Sequence, residues 1–266
     1  MKRNHLSILA SVGFAALFCG PSLALAQTAP SLGTAQSFAV LGSSTVTNTG
    51  SSTITGDLGV SPGSAVTGFP PGTVTGGIIQ TYAVATSAQS DVTTAYNNLA
   101  SQVCTQDLTG QDLGGMTLTA GVYCFSSSAQ LTGTLTLNAQ GNAAAVFIFK
   151  IGSTLTTASG SSVVVINGGS LCNVFWQVGS SATLGTTTSF AGNILALASI
   201  TLNTGANATG RTLARNGAVT LDTNTVNASA CTGPMPPVPT LPGWAIITLT
   251  ALLALAGFAA MRRRAT

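Results

Sequence analysis

Glutamate is missing from this 266-residue chain altogether, and its one histidine is His5. Only 5% of residues are charged. Between Gln27 and Cys231 the charges are Asp57, Asp91, Asp107, Asp112 and Asp222 against Lys150, Arg211 and Arg215, so that segment carries 1 + 2 − 5 = −2, and the chain's net charge of +3 comes from its ends. Each shortage excludes a class of function. Without histidine or glutamate there is no Ser-His-Asp triad, no histidine-based zinc site and no glutamate pair for glycoside hydrolysis. The five aspartates are scattered and read as turn and cap residues. No catalytic residue, metal site or cofactor is expected, and the chain is read as a non-enzyme. The basic footprint of a nucleic-acid binder is also missing.

What the chain has is a returning phrase: Thr, Leu, any residue, then Thr or Ala. It starts at Thr117, Thr136, Thr154, Thr183, Thr201 and Thr220, in steps of 19, 18, 29, 18 and 19 residues. A looser form at Thr53 and Thr73 adds a step of 20. A period of this length, built from β-formers and glycine, marks a solenoid with one coil per repeat. Successive strand side chains face opposite ways. The spacing therefore predicts that Leu118, Leu137, Leu155, Leu184, Leu202 and Leu221 line a core, with a ladder of threonines outside. The 29-residue step is read as a coil with an extra strand or loop. Runs such as Ala145–Ile151, Ser161–Ile166 and Asn173–Val178 are apolar enough to build the core. One stretch breaks the pattern. From Gln80 to Val103, the residues Val84, Ala88, Val92, Ala95, Leu99 and Val103 fall at helical spacing, predicting one amphipathic helix along the flank.

The ends read as targeting segments. Residues 1–26 have a basic start, an apolar run from Leu6 to Phe18, and Ala24-Leu25-Ala26 as a small-residue cleavage site, a secretory signal peptide. Cys19 falls within it. Four cysteines remain, which allow three pairings. Cys104–Cys124 and Cys172–Cys231 are favoured, since the first would tie the helix end to the next coil and the second would lock the last coil; free thiols are the alternative. Residues 232–243 form a proline-rich linker, with five prolines between Gly233 and Pro242. Residues 244–266 comprise a 17-residue apolar segment, Trp244–Ala260, and then Arg262, Arg263 and Arg264, which predicts a membrane-spanning segment with a cytoplasmic basic end.

The phrases GDLGVSPG (Gly56–Gly63), LTAGVYCF (Leu118–Phe125), AVFIFKIGSTLTT (Ala145–Thr157), NVFWQVGSSATLG (Asn173–Gly185) and GRTLARNGAVTL (Gly210–Leu221) resemble the microbial ice-binding proteins of the discontinuous β-helix type. The resemblance implies an all-β domain over residues 27–231. Its fold would be a right-handed parallel β-helix of roughly triangular section with one long α-helix packed alongside. It also implies that the partner is an ice crystal surface, met by a flat Thr/Ser-rich face. The candidate contact residues are Thr136, Thr154, Thr183, Thr201 and Thr220, with outward neighbours Thr134, Gly152, Ser181, Ser199 and Ala218. Asn203 and Asp222 would mark the margin. Thr186, Thr204 and Thr223 fall at a corner, where a turn-capping role competes. VPTLPGW, with Val238, Pro239, Thr240, Leu241 and Trp244, resembles the IPTL-type sorting signals of Gram-negative bacteria. It implies a sorting protease as second partner and a cell-surface or extracellular location, with at least transient anchoring in the inner membrane. The competing reading is a cell-surface adhesin or structural matrix protein without ice activity.

Overall fold

The computed structural model describes residues 27–80 and 83–231. The expected signal peptide, proline-rich linker and membrane-spanning segment, and the sorting motif, lie outside the described residues. Among the described residues no helix is long and apolar enough to cross a membrane.

Twenty-two short strands pair in parallel, each with the equivalent strand of the coil above or below. They form three faces. One carries Gln106–Asp107, Gly121–Phe125, Phe147–Ile151, Val174–Val178, the later halves of Ser189–Ala196 and Asn207–Ala214, then Phe38–Gly42, Asp57–Val60 and Ile78–Gln80. The helix Ala83–Ser101 packs on it. The second face is a separate seven-stranded sheet from Ala129–Leu131 to Ala65–Thr67. The third runs from Thr117–Thr119 to Thr73–Val74. It joins the first because strands Ser189–Ala196 and Asn207–Ala214 continue round the corner. They turn at Gly192 and Gly210, whose φ values are 109° and 140°. A Cβ on Gly210 would fall 2.0 Å from the Gly192 carbonyl oxygen, so no other residue fits that bend.

The coils do not stack in chain order. Phe38–Gly42 pairs with Asn207–Ala214, and Thr45–Thr49 pairs with Val219–Asp222. The first coil thus sits on the last. The second coil, with strands Asp57–Val60, Ala65–Thr67 and Thr73–Val74, closes that end of the stack. The helix then carries the chain back along the stack, over about 28 Å at 1.5 Å per residue, and coiling restarts at the far end with Gln106–Asp107.

All six phrase leucines are buried, none more than 8% exposed. A one-residue slip would have put them outside. Between them Tyr123, Phe149, Trp176 and Phe190 form a continuous aromatic column, with ring centroids 5.5, 4.0 and 4.9 Å apart. Trp176 donates its indole N–H to the Ala191 carbonyl at 3.0 Å, so its polar end is satisfied. The continuous apolar runs belong to the helix-covered face. There the outward side chains Val122, Ile148, Phe175, Leu195 and Leu213 meet Ala88, Val92, Ala95, Tyr96 and Leu99 of the helix. A parallel sheet covered on both sides has no polar alternation to keep. The helix is shorter than the sequence pattern predicts. Val84 is 50% exposed, and Val103 lies beyond the last turn at 69% exposed, so neither joins the seam; Ala85 and Tyr96 do.

Both favoured disulfides, Cys104–Cys124 and Cys172–Cys231, are formed. Beside the second lies a buried arginine. Arg211 donates to the carbonyls of Gln36 and Cys231 and to Asn193 Oδ1, which ties the two ends of the domain together. Burial pushes its guanidinium down to about 10, still charged at neutral pH.

Replacing Arg211 by Met leaves those acceptors without a donor, and the expected loss is about 2–4 kcal/mol. The melting temperature should fall by roughly 5–15 °C, and an unchanged value would remove the tie from the account. For the disulfides, chain-entropy scaling predicts about 4 kcal/mol for Cys172–Cys231, which closes 59 residues, against about 3 kcal/mol for Cys104–Cys124, which closes 20. Denaturant unfolding of the two paired Cys→Ser variants should therefore rank them in that order.

Candidate functional site

Strand pairing decides which threonines share a face. On the second sheet the register runs Gln130, Thr156, Thr183, Thr201, Thr220, Thr47, Thr67. That is six threonines in succession, one per coil, all exposed or half-exposed. On the inner side of the same strands stand Leu155, Ala182, Ile200, Val219 and Val46, each fully buried. Alternation along the strand thus produces the threonine file on one side and the core on the other.

The candidate residues divide four ways. Thr183, Thr201 and Thr220 occupy the central file. Ser181, Ser199 and Ala218 stand two residues earlier, and Thr154 falls in with them, because Leu155 pairs with Ala182 rather than with Leu184. Thr154 therefore belongs to the second file, and the central place on its coil is held by Thr156. Buried Thr157 takes the position that leucine fills on the next coils, accepting from Gly185 N–H at 2.8 Å and exchanging a hydrogen bond with Thr188 at 2.8 Å. Measured between central threonines, Thr156 to Thr183, the long step shortens from 29 to 27 residues. Its excess lies at Asn167–Asn173, a turn followed by the short 3-10 helix Leu171–Asn173, and adds no strand. Gly152 sits outside the sheet, at the corner before Leu155–Thr157.

Thr134 and Thr136 are on another face. Their strand, Thr134–Asn138, belongs to the third face, where Thr134 pairs with Ser162 and Thr136 with Thr117 and Val164. Thr53 and Thr73 pair with each other there and continue to Thr225. The single ladder expected from the phrase is thus two faces. The third face is the less uniform one. Its inner file holds exposed Val164 and buried Ala191, while its outer file runs Thr134, Ser162, Ser189, Asn207, Thr225, Thr53 and Thr73.

The phrase search misses Thr47, Thr67 and Thr156. In the coils of Thr47 and Thr67 the leucine position holds Asn48 and Gly68 instead. Buried Asn48 donates to the Gly50 and Gly68 carbonyls at 2.9 and 2.8 Å, closing the turn. The alternation in TVTNT and AVT was the available signal.

Charge plays little part in this surface. Neither the central file nor the second file holds an ionisable side chain. Each aspartate serves a turn or a junction. Asp91 accepts from Thr34 N–H and Oγ1 at 2.7 and 2.6 Å. Asp57 accepts from Gly77 N–H, and Asp112 from Gly114 and Thr132 N–H. The Thr109 hydroxyl and N–H hold Asp107 below the ordinary carboxylate range. Asp222, at the sheet margin, receives the Thr204 hydroxyl.

A family model described as Ice-binding-like matches residues 40–227, and one for the IPTL-CTERM motif matches residues 236–263. An ice-binding protein of Nostoc sp. (strain HG1) is 59% identical over 235 residues, 88% of this chain and 86% of that protein. The crystal structure of an ice-binding protein from an Antarctic biological consortium superposes with a TM-score of 0.74 at 49% identity, covering 75% of this chain and 91% of the other. That of an ice-binding protein from the Antarctic ascomycete Antarctomyces psychrotrophicus gives 0.74 at 43% identity, covering 76% and 99%. Parallel coils closed by a flanking helix, with most of the chain matched, make the assignment direct: the protein belongs to the ice-binding-like family.

Proposed function

We propose that this protein adsorbs to ice through the seven-stranded sheet, with Thr156, Thr183, Thr201, Thr220, Thr47 and Thr67 as the central contacts and Thr154, Ser181, Ser199 and Ala218 beside them. The observation that carries the reading is the unbroken file of six threonines in parallel register. Stacked coils space this file by about 4.8 Å, and the second file lies about 6.6 Å from it along the strands. Each threonine presents a hydroxyl to anchor water and a methyl to order it. A surface already flat and fixed avoids most of the ordering cost of joining a lattice. A parallel sheet ordinarily has both sides covered, and among the described residues this one is covered on the core side only. The family membership supports ice as the partner, and no enzymatic role is assigned to any of the aspartates. The sorting motif supports export and surface sorting. We infer further that a membrane protease acts at Val238–Trp244 and that the apolar segment holds the protein in the inner membrane until then.

Thr201→Tyr lifts the centre of the sheet off a flat lattice. Thermal hysteresis should fall at least about fivefold, as expected for a central contact, while the melting temperature holds. Asn97→Tyr, on the exposed side of the helix, should leave both unchanged. Full activity in Thr201→Tyr would remove this sheet from the ice contact. A wild-type protein that leaves ice growth unaltered would turn the reading to surface adhesion. Hysteresis should also stay level between about pH 5 and pH 8, a window in which histidine is the one unperturbed side chain that titrates and in which the two files carry nothing ionisable. A bell-shaped profile would bring a titrating group into the contact.

A further inference from the structure

Thr187 and Thr223 have φ of 57° and 55°, in the left-handed region that β-branched residues rarely enter. Both stand at the corner where the chain leaves the threonine sheet for the third face. Backbone hydrogen bonds from coil to coil put five residues in one file: Gly160, Thr187, Gly205, Thr223 and Gly50. The three glycines have φ of 69°, 71° and 74°. Glycine thus takes this conformation without strain on three coils, and on two coils threonine takes it with strain.

Packing excludes a side chain at one of these glycines: a Cβ on Gly50 would meet Thr223 Oγ1 at 2.3 Å, whereas one on Gly205 would stand in ordinary contact, 3.7 Å from Thr187 Cγ2, and one on Gly160 would meet nothing within 4 Å. Thr187 and Thr223 stand two coils apart in the file, at a spacing of about 9.6 Å. Both threonines are exposed. Their hydroxyls donate back to the protein, Thr187 to the Thr186 carbonyl at 2.7 Å and Thr223 to Asp222 Oδ1 at 3.1 Å. Thr186 likewise donates to Ser159 and Thr204 to Asp222. With their protons used inward, the four oxygens keep lone pairs for solvent. Beyond the corner, Ser189, Asn207, Thr225 and Thr53 continue a polar file on the third face.

We propose that the ice-contacting surface turns this corner, and that Thr187 and Thr223 are water-ordering side chains kept there at the expense of fold stability, joining the threonine sheet to the outer file of the third face. The proposal rests on the ice-binding reading and extends it to a second crystal direction. The contact is with ordered water, the same chemistry as on the sheet, met at an angle to it.

The test is the double variant Thr187→Gly, Thr223→Gly, compared with wild type and with Thr201→Tyr for melting temperature and thermal hysteresis. Removing strained threonines in favour of glycine should leave the melting temperature unchanged or a few degrees higher. Hysteresis should be about twofold lower, since a row of contacts is lost. Wild-type hysteresis in the double variant would overturn the proposal. So would a lower melting temperature, which would make the two side chains packing elements. An inactive wild type, or a fully active Thr201→Tyr, would instead fail the broader reading and this one with it, and is distinguishable because it does not involve the corner.

Discussion

Everything in this molecule depends on parallel pairing between consecutive coils. A parallel ladder sets one position directly above its equivalent, so whatever residue the repeat puts at a place becomes a file of that residue. Leucine becomes a core, the aromatics Tyr123, Phe149, Trp176 and Phe190 become a column, and threonine becomes a surface. The same constraint sets what the corners must be. Gly192 and Gly210 are glycines because the backbone of the coil beneath occupies the space of a Cβ.

Pairing also explains what could be read in the sequence and what could not. The leucine phrase was legible because leucine returns at the inward position of six strands, and its inward register followed from strand alternation alone. The helix was legible from Ala88, Val92, Ala95 and Leu99. Its ends were not: Val84 has the right spacing, yet it is half exposed while Ala85 beside it is buried, and Val103 lies beyond the last turn. The threonine surface was only half legible. The phrase occurs on two faces, and a linear period does not say on which side of a triangle a strand lies. Thr134 and Thr136 were thereby grouped with threonines that lie round a corner. On the coil of Thr154 the phrase slipped by two residues, because buried Thr157 replaces leucine while keeping its polar atom bonded. Thr47 and Thr67 were missed because Asn48 and Gly68 stand in the leucine position of their coils, and their place in the file was hidden because these coils come early in the chain but stack after its last coil.

A surface made this way has to be stiff, and the stiffness is distributed. The helix covers one face, one disulfide holds the end of the helix to the next coil and the other holds the last turn of the domain, and Arg211 fastens the N-terminal turn at Gln36 to Cys231. None of these touches the threonine sheet. They act on the coil-to-coil spacing, the quantity on which any lattice match depends.

The docking of the first coil onto the last has a consequence for export. A chain threaded through a membrane emerges N-terminus first. The strands Phe38–Gly42 and Thr45–Thr49 then wait without the partner strands Asn207–Ala214 and Val219–Asp222 until some 170 further residues have crossed. Their open edges can pair with nothing native in the interval. For a chain that crosses in this way, the architecture leaves the domain incomplete until the last coil arrives to receive the first.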